Sequence, residues 1–406
     1  MSDRESLTAK SGKPGGSKGK SASDAEGFKD KTIRKSVSFF KTYVLPALVL
    51  GLLIGGLLLR AHFMDKHHHG ERKRRHRVVH DEPGGDLIHC KHGHKYWIEK
   101  IYYRQPDCYT QGFHYLGNGM VLESCGMYDK SRVVLAKLED NPKDLLKSKY
   151  TVVKTTTIEG ESFGEGIEVF KDKDKNEYYY QLTWMEQHMN VFNKDLRMVA
   201  KVPLPPPQFR EGWGLARYPG RQDMAFLTDG TNEIKAIQIP FPESPKPPEG
   251  NDPVPKLHQA KILRKYEVYS SGTPKKPQNL LNELAFSTIE GDSLYANIYL
   301  NKEVGLISMN TGRLITKIDF SHLVHITEKY YESVWKQPLT NDKCLNGIST
   351  IYPPETIRNI DGVHDMNHDE EDFRHMTLGE DEDRLLITGK DWPMVFQIRL
   401  KLNIKK

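Results

Sequence analysis

Cysteine is scarce in this chain, with four residues in 406, at positions 90, 108, 125 and 344. No two are spaced as a Cys-x-x-Cys pair, so a zinc finger or ribbon has no support. None precedes residue 90. An oxidising compartment would permit disulfides in the part beyond it. Four cysteines allow three full pairings, and the sequence leaves these and the free-thiol state open. Basic charge is also scarce where nucleic acid would need it. The formal net charge is +5, but residues 1–79 hold 17 Lys/Arg against 7 Asp/Glu, which leaves 42 and 47 for the rest. The larger part is mildly acidic, which argues against nucleic acid as a partner. Charge is wholly absent from residues 43–59, and long amphipathic helical periodicity is absent from residue 85 onward.

These absences divide the chain. Residues 1–42 are rich in Ser, Lys and Gly with few large apolar side chains, and read as a disordered basic tail. Residues 43–59 read as a transmembrane signal-anchor helix, at the short end of the ~17–25 residues a bilayer needs. Lys and Arg flank both sides of it, so the positive-inside rule does not orient it. The placement of every cysteine beyond it does. The expectation is a single-pass type II protein with its C-terminal part in the secretory lumen or outside the cell. Residues 60–84 form a charged stalk with His67-His68-His69 and Arg72-Lys73-Arg74-Arg75. A solvated linker explains the His run better than a metal site, because nothing fixes a coordination geometry.

Residues 85–406 are expected to form one domain. Runs rich in Val, Ile, Tyr, Phe and Thr alternate with Gly, Asn and Asp turns, as in Tyr96–Tyr103, Met120–Glu123, Val152–Thr157 and Arg384–Thr388. A short box recurs five times: Tyr109-Thr110-Gln111-Gly112, Phe163-Gly164-Glu165-Gly166, Glu211-Gly212-Trp213-Gly214, Leu281-Asn282-Glu283-Leu284 and Leu345-Asn346-Gly347-Ile348. The spacings between their last residues are 54, 48, 70 and 64. A Pro-rich insert (240–277) and an acidic insert (353–383) account for the two longest. Each box leads to a strand and a second box, such as Leu182-Thr183-Trp184, Ala296-Asn297-Ile298-Tyr299 or Thr388-Gly389-Lys390. A repeat of roughly 50 residues built of short strands predicts an all-β, five-bladed β-propeller. The Tyr96–Tyr103 strand would close the last blade.

Equivalent boxes converge at one end of such a fold. Gln111, Glu165, Trp213, Asn282 and Asn346 would meet there, with Trp184, Asp229, Asn297, Tyr299 and Lys390 from the second boxes. Aromatic walls with a few amides, a carboxylate and one Lys describe a small selective pocket. Glu165 follows the apolar Phe163 and has a glycine on each side. Burial there would raise its pKa toward the range a general acid–base needs.

The boxes resemble those of the plant- and bacterial-type glutamine cyclotransferases over about residues 96–400. The resembling pieces include Tyr109-Thr110-Gln111-Gly112, Glu123-Ser124, Phe163-Gly164-Glu165-Gly166, Leu182-Thr183-Trp184, Gly212-Trp213-Gly214-Leu215, Leu281-Asn282-Glu283-Leu284 and Thr388-Gly389-Lys390 with Trp392-Pro393. The resemblance implies a five-bladed propeller that converts an N-terminal glutamine to pyroglutamate with loss of ammonia, with no catalytic metal and no cofactor. It implies Glu165 as acid–base, and Gln111, Trp184, Trp213, Asn282 and Lys390 as pocket residues. Phe163 lines the same pocket. Tyr109 stands where that family usually has Phe, and Tyr299 where it usually has Trp. Asp391, Cys125 and Cys344 are further departures. The implied partners are peptides or proteins with N-terminal Gln, and a membrane through one helix.

Two other classes share the outline. One is a non-catalytic, membrane-anchored propeller that binds a peptide. The other is a calcium-dependent lactonase-like hydrolase, since such propellers carry Asn, Asp and Glu at the same end. A chelator separates the hydrolase from a cyclotransferase.

Overall fold

The computed structural model describes residues 87–351 and 382–404, apart from positions 159, 161, 207, 251, 271, 273, 288, 290 and 291. The expected tail (1–42), membrane helix (43–59) and stalk (60–84) lie outside the described residues, as does nearly all of the acidic insert.

The fold is all-β. Strands β1 (Leu87–His89) and β2 (Lys95–Tyr103) open it. A first antiparallel group follows: β3 (Tyr109–Gly117), β4 (Met120–Gly126), β5 (Arg132–Glu139) and β6 (Ser148–Thr157). The second group is β7 (Gly164–Lys171), β8 (Glu177–Thr183), β9 (His188–Asn193) and β10 (Met198–Pro203). The third is β11 (Leu215–Arg217), β12 (Met224–Thr228), β13 (Glu233–Gln238) and β14 (Lys261–Glu267). The fourth is β15 (Leu281–Phe286), β16 (Ser293–Ile298), β17 (Glu303–Ser308) and β18 (Leu314–Asp319). Last come β19 (Leu345–Thr350), β20 (Glu382–Gly389) and β21 (Met394–Lys401), against which β2 pairs.

The expected five separate blades are corrected by the hydrogen bonding. Tyr102 and Tyr103 of β2 pair in parallel with Ser148 and Lys149 of β6. The last and first groups therefore form one nine-stranded sheet, beside three sheets of four. No helix among the described residues is long and apolar enough to cross a membrane, and the segment 43–59 lies outside them. A third difference is α1 (Ser321–Trp335), between β18 and β19. Its β-branched and aromatic composition resembles a strand. Its buried residues Leu323, Val324, Thr327 and Tyr331 instead follow helical spacing and form one face.

Many strands lack alternation. In β8 and β16 nearly every residue is buried. The reason is that both faces are covered. Leu122 and Val133 pack with Ile167 and Phe192. Phe170 and Tyr180 pack with Leu215 and Leu227, and Phe226 with Leu284 and Leu294. Tyr295 and Leu306 pack with Ile348 and Phe396, and Phe113 and Val121 with Leu386 and Val395. Each such side chain contributes about 1.5–3 kcal/mol when fully buried.

One polar cluster ties the last group to the first. Arg104, between β2 and β3, donates from Nη1 to both oxygens of Glu123 at 2.6 Å. Tyr150 and Thr110 donate to the same carboxylate, each at 2.6 Å. Arg104 Nη2 also donates to Thr110 and Thr388, at 3.1 and 3.0 Å, and Nε donates to the Trp392 carbonyl. Thr110 precedes Gln111, and Thr388 lies two residues before Lys390. Beside the cluster, Cys108 and Cys125 form a disulfide, while Cys90 and Cys344 are free thiols. Cys108, Glu123 and Cys125 bring three metal-ligating atoms together, but both sulfurs and both carboxylate oxygens are already engaged.

Removing one partner of a buried ion pair strands the other charge, at a cost of about 3–5 kcal/mol. Glu123→Ala is expected to lower the urea midpoint by that equivalent. A midpoint shift equivalent to less than about 0.5 kcal/mol, the range of neutral surface changes, would show that the cluster does not hold the seam.

Candidate active site

Four of the recurrent boxes become β-bulges, and the third lies just before β11. Gly164 faces Thr183 and Ile167 faces Gln181, so Glu165 and Gly166 together oppose Leu182 alone. Asn282 and Glu283 oppose Asn297 in the same way, and Asn346 and Gly347 oppose Thr388. In β3 the extra residue is Gln111, between Thr110 and Gly112. At the third group the backbone of Thr228 bonds both Trp213 and Gly214. A bulge re-aims side chains that would otherwise follow the pleat. Here it does so at Gln111, Glu165, Asn282 and Asn346.

These segments touch one another. A Cβ on Gly166 would stand 2.6 Å from the Leu215 nitrogen and 2.7 Å from the Trp213 carbonyl oxygen. One on Gly214 would stand 2.1 Å from the Asn282 carbonyl oxygen. Only glycine permits this approach. The Gly166 amide donates to the Trp213 carbonyl at 2.7 Å. Thr228 Oγ1 donates to the Asn282 carbonyl at 2.9 Å. The Gly347 amide donates to Asn297 Oδ1 at 3.2 Å. Asn346 Nδ2 closes the series by donating to the Thr110 carbonyl at 3.0 Å and to Gln111 Oε1 at 3.3 Å.

Residues at the ends of the second strands join them. The amide of Trp184 bonds the Phe163 carbonyl, that of Tyr299 the Leu280 carbonyl, and that of Lys390 the Cys344 carbonyl. Trp184, Tyr299 and Lys390 thus occupy one structural position in three groups. Glu165 is buried, and burial drives its pKa well above the ordinary carboxylate value. Lys390 pulls that pKa back, while Glu211 and Glu186 push it further up. Lys390 is buried too. Burial lowers its pKa and Glu165 opposes that shift. The Lys390 ammonium lies 4.7 Å from the ring centre of Tyr109 and 4.8 Å from that of Tyr299. Two π faces replace part of the hydration that burial removes.

Two aromatic pairs lie in the same segments. Phe163 contacts Trp184, with ring centres 5.7 Å apart. Trp213 contacts Tyr299 at 5.5 Å. One carboxylate oxygen of Glu211 accepts from both indoles, at 2.7 Å from Trp184 Nε1 and 2.7 Å from Trp213 Nε1. Several buried polar atoms have no protein partner: Asn282 Oδ1, Asn297 Nδ2, Asn346 Oδ1, Glu283 Oε2 and Glu186 Oε2. Such a state costs about 1–3 kcal/mol per group, which favours a bound polar molecule or water there.

The structure therefore brings Gln111, Glu165, Phe163, Trp184, Trp213, Asn282, Tyr299, Lys390 and Tyr109 into linked segments. Asp229 differs, because it pairs with the buried Lys235 and has a structural partner. Three residues went unread as site residues. Glu211 stands inside the third box, but its joint hold on two indoles is a spatial fact. Tyr128 lies against Phe163 and Trp184, with ring centres 5.3 and 6.3 Å away. Glu283 is a second buried carboxyl, raised by burial and by the charges of Glu168 and Glu165. It accepts the Phe113 amide at 3.0 Å.

A family model described as glutamine cyclotransferase matches residues 83–244 and 255–358. A glutaminyl-peptide cyclotransferase of Arabidopsis thaliana is 26% identical over 296 residues, covering 73% of this chain and 68% of that protein. The crystal structure of Myxococcus xanthus glutaminyl cyclase aligns at 21% identity with a TM-score of 0.49, covering 76% of this chain and 97% of that one. With the family model spanning well over half of its length, the chain belongs to the glutamine cyclotransferase family and is an enzyme of that family.

Proposed function

We propose that the chain converts the N-terminal glutamine of peptides and proteins to pyroglutamate with release of ammonia, and that Glu165 carries the protons. The observation that carries this reading is a buried carboxyl, raised in pKa and held on a bulge beside Lys390, with two aromatic pairs in the same segments. The reaction is an intramolecular aminolysis. The substrate's α-amine attacks its own γ-carboxamide carbon, a five-membered lactam closes, and the C–N bond to the former amide nitrogen breaks. The substrate supplies its own nucleophile, so a folded near-attack pose is much of the catalysis. Phe163, Trp184, Trp213 and Tyr299 hold that pose and limit competing attack by water.

Glu165 as carboxylate accepts the proton that the attacking amine loses. As carboxylic acid it returns that proton to the leaving nitrogen. A pKa raised by burial suits both steps. Lys390, Asn282 and Gln111 are the donors assigned to the developing oxyanion. Glu211 is a positioning residue. Its carboxylate sets both indoles and adds negative charge near Glu165. We further propose an oxidising compartment, the secretory lumen or the cell exterior, because the described residues include a disulfide.

Glu165→Gln keeps the shape but carries no proton. Its kcat on a Gln-initiated peptide is expected to fall ~10²–10⁴-fold with KM near wild type. Retention of more than about a tenth of wild-type kcat would remove Glu165 from the role. Pyroglutamate formation is read directly by mass spectrometry as loss of ammonia.

The acid limb of the kcat/KM profile gives a signed test. Turnover needs the Glu165 carboxylate, so activity rises as pH climbs through its raised pKa. Lys390 lowers that pKa, so Lys390→Met is expected to move the limb to higher pH. Glu211 raises it, so Glu211→Gln is expected to move the limb to lower pH. Titration of the substrate amine is common to all three proteins and cancels in the comparison. Shifts of the same sign in both variants would refute the assignment. Dialysis against a chelator is expected to leave turnover unchanged, whereas loss with recovery on added calcium would favour the hydrolase.

A further inference from the structure

The end of the sheet groups that holds Glu165 also carries exposed apolar side chains. Met127 and Tyr128 follow β4, Met185 follows Trp184, Leu280 precedes β15, and Leu300 follows Tyr299. All five are among the exposed large hydrophobic residues of the described part. They continue the aromatic walls. The Tyr128 ring contacts Phe163 and Trp184. The Leu280 carbonyl accepts the Tyr299 amide at 2.8 Å, and the Leu280 amide donates to the carbonyl of Gly230 at 2.9 Å. Gly230 in turn lies against the Trp213 ring.

A second, independent feature falls on the same residues. Met127, Leu280 and Leu300 have φ values of 128°, 64° and 59°. Side chains with a Cβ rarely adopt positive φ, and such positions persist where surrounding bonds fix them. Glycine or asparagine would meet the backbone demand without exposing an apolar surface. Here the chain bears both the backbone strain and the solvent exposure, three times at one end of the molecule.

We propose that Met127, Tyr128, Met185, Leu280 and Leu300 form the surface that receives the residues after the N-terminal glutamine, and that it selects peptides with an apolar second residue. The inference rests on the glutaminyl-peptide reading. A glutamine held between the Phe163–Trp184 and Trp213–Tyr299 walls must lead its peptide chain out past the residues adjoining those walls. The surface those residues offer is apolar, and an apolar second side chain covers it on binding.

The test measures kcat/KM by ammonia release for Gln-Phe-Ala and Gln-Gly-Ala with the full chain. Discrimination through an apolar contact of this kind is about tenfold or more, so Gln-Phe-Ala is expected to be preferred by that factor. Met185→Ser, Leu280→Asn and Leu300→Asn lie outside the proton-transfer machinery, and Asn tolerates the left-handed backbone. Each variant is expected to reduce the preference toward parity while Gln-Gly-Ala is turned over as by wild type. Three separate variants keep the test decisive if one fails to fold, which circular dichroism reads. Cyclisation of neither peptide by wild type would overturn the glutaminyl-peptide reading itself. Cyclisation of both at equal efficiency would overturn only the apolar selection. A preference that survives in every folded variant would also overturn it.

Discussion

An extra residue near the start of β3, β7, β15 and β19 sets the geometry of this enzyme's candidate site. In a regular pleat, successive side chains alternate faces and end in the packing between neighbouring sheets. The bulge breaks that alternation near the start of each of these strands. There a carboxyl and two kinds of amide leave the pleat together. The cost is a locally interrupted ladder. It is offset by bonds between groups, such as Gly166 to the Trp213 carbonyl and Asn346 to Thr110. The site is thus made of backbone irregularities that support one another. Small residues follow from this, since Gly166 and Gly214 sit where a neighbouring backbone leaves no room for a Cβ.

The electrostatic arrangement depends on the same closeness. The charges of Glu211 and Glu186 both act on Glu165, and that of Lys390 opposes them. Only Glu211 has its carboxylate committed to both indoles. Burial raises the Glu165 pKa, and the charge of the committed Glu211 adds to that rise. Arg104 sits differently, with Glu123 accepting from it and from two hydroxyls. Two buried carboxyls in one domain therefore serve different ends. A full set of donors fixes Glu123, and desolvation beside a lone cation readies Glu165 for proton transfer.

Much of this was legible in the sequence because the bulges recur. The spacing of the boxes exposed the repeat, and the first bulged residues are those that the repeat singled out. Strand positions such as Tyr96–Tyr103 and Arg384–Thr388 followed from β-branched and aromatic composition. Helix α1 was not seen, because Val324, Ile326, Thr327, Tyr330 and Tyr331 carry strand propensity and only their spacing is helical. The joining of the first and last groups rests on two backbone pairings, Tyr102 with Ser148 and Tyr103 with Lys149. Side-chain pattern does not encode such pairings. Glu211 and Tyr128 were missed for another reason. Their roles come from contacts between groups, and a repeat analysis finds equivalence within groups.

The departures from the family pattern form one place in space. Tyr109 and Tyr299 both face the Lys390 ammonium. Cys344 supplies the carbonyl that accepts the Lys390 amide at 3.0 Å. Asp391 follows Lys390, has φ 53°, and donates its amide to the Cys108 carbonyl at 2.8 Å. Cys125 anchors that same Cys108 through the disulfide. Tyr109, Tyr299 and Cys344 thus meet Lys390 directly. A phenol ring offers the π face that a buried ammonium needs, so Tyr299 both contacts Trp213 and seats the cation. The Tyr109 hydroxyl reaches the Asp342 carbonyl at 3.3 Å, and Asp391 lies 3.8 Å from the Lys343 ammonium. Two π faces and the Cys344 carbonyl thus hold Lys390 in place, and its charge acts on Glu165.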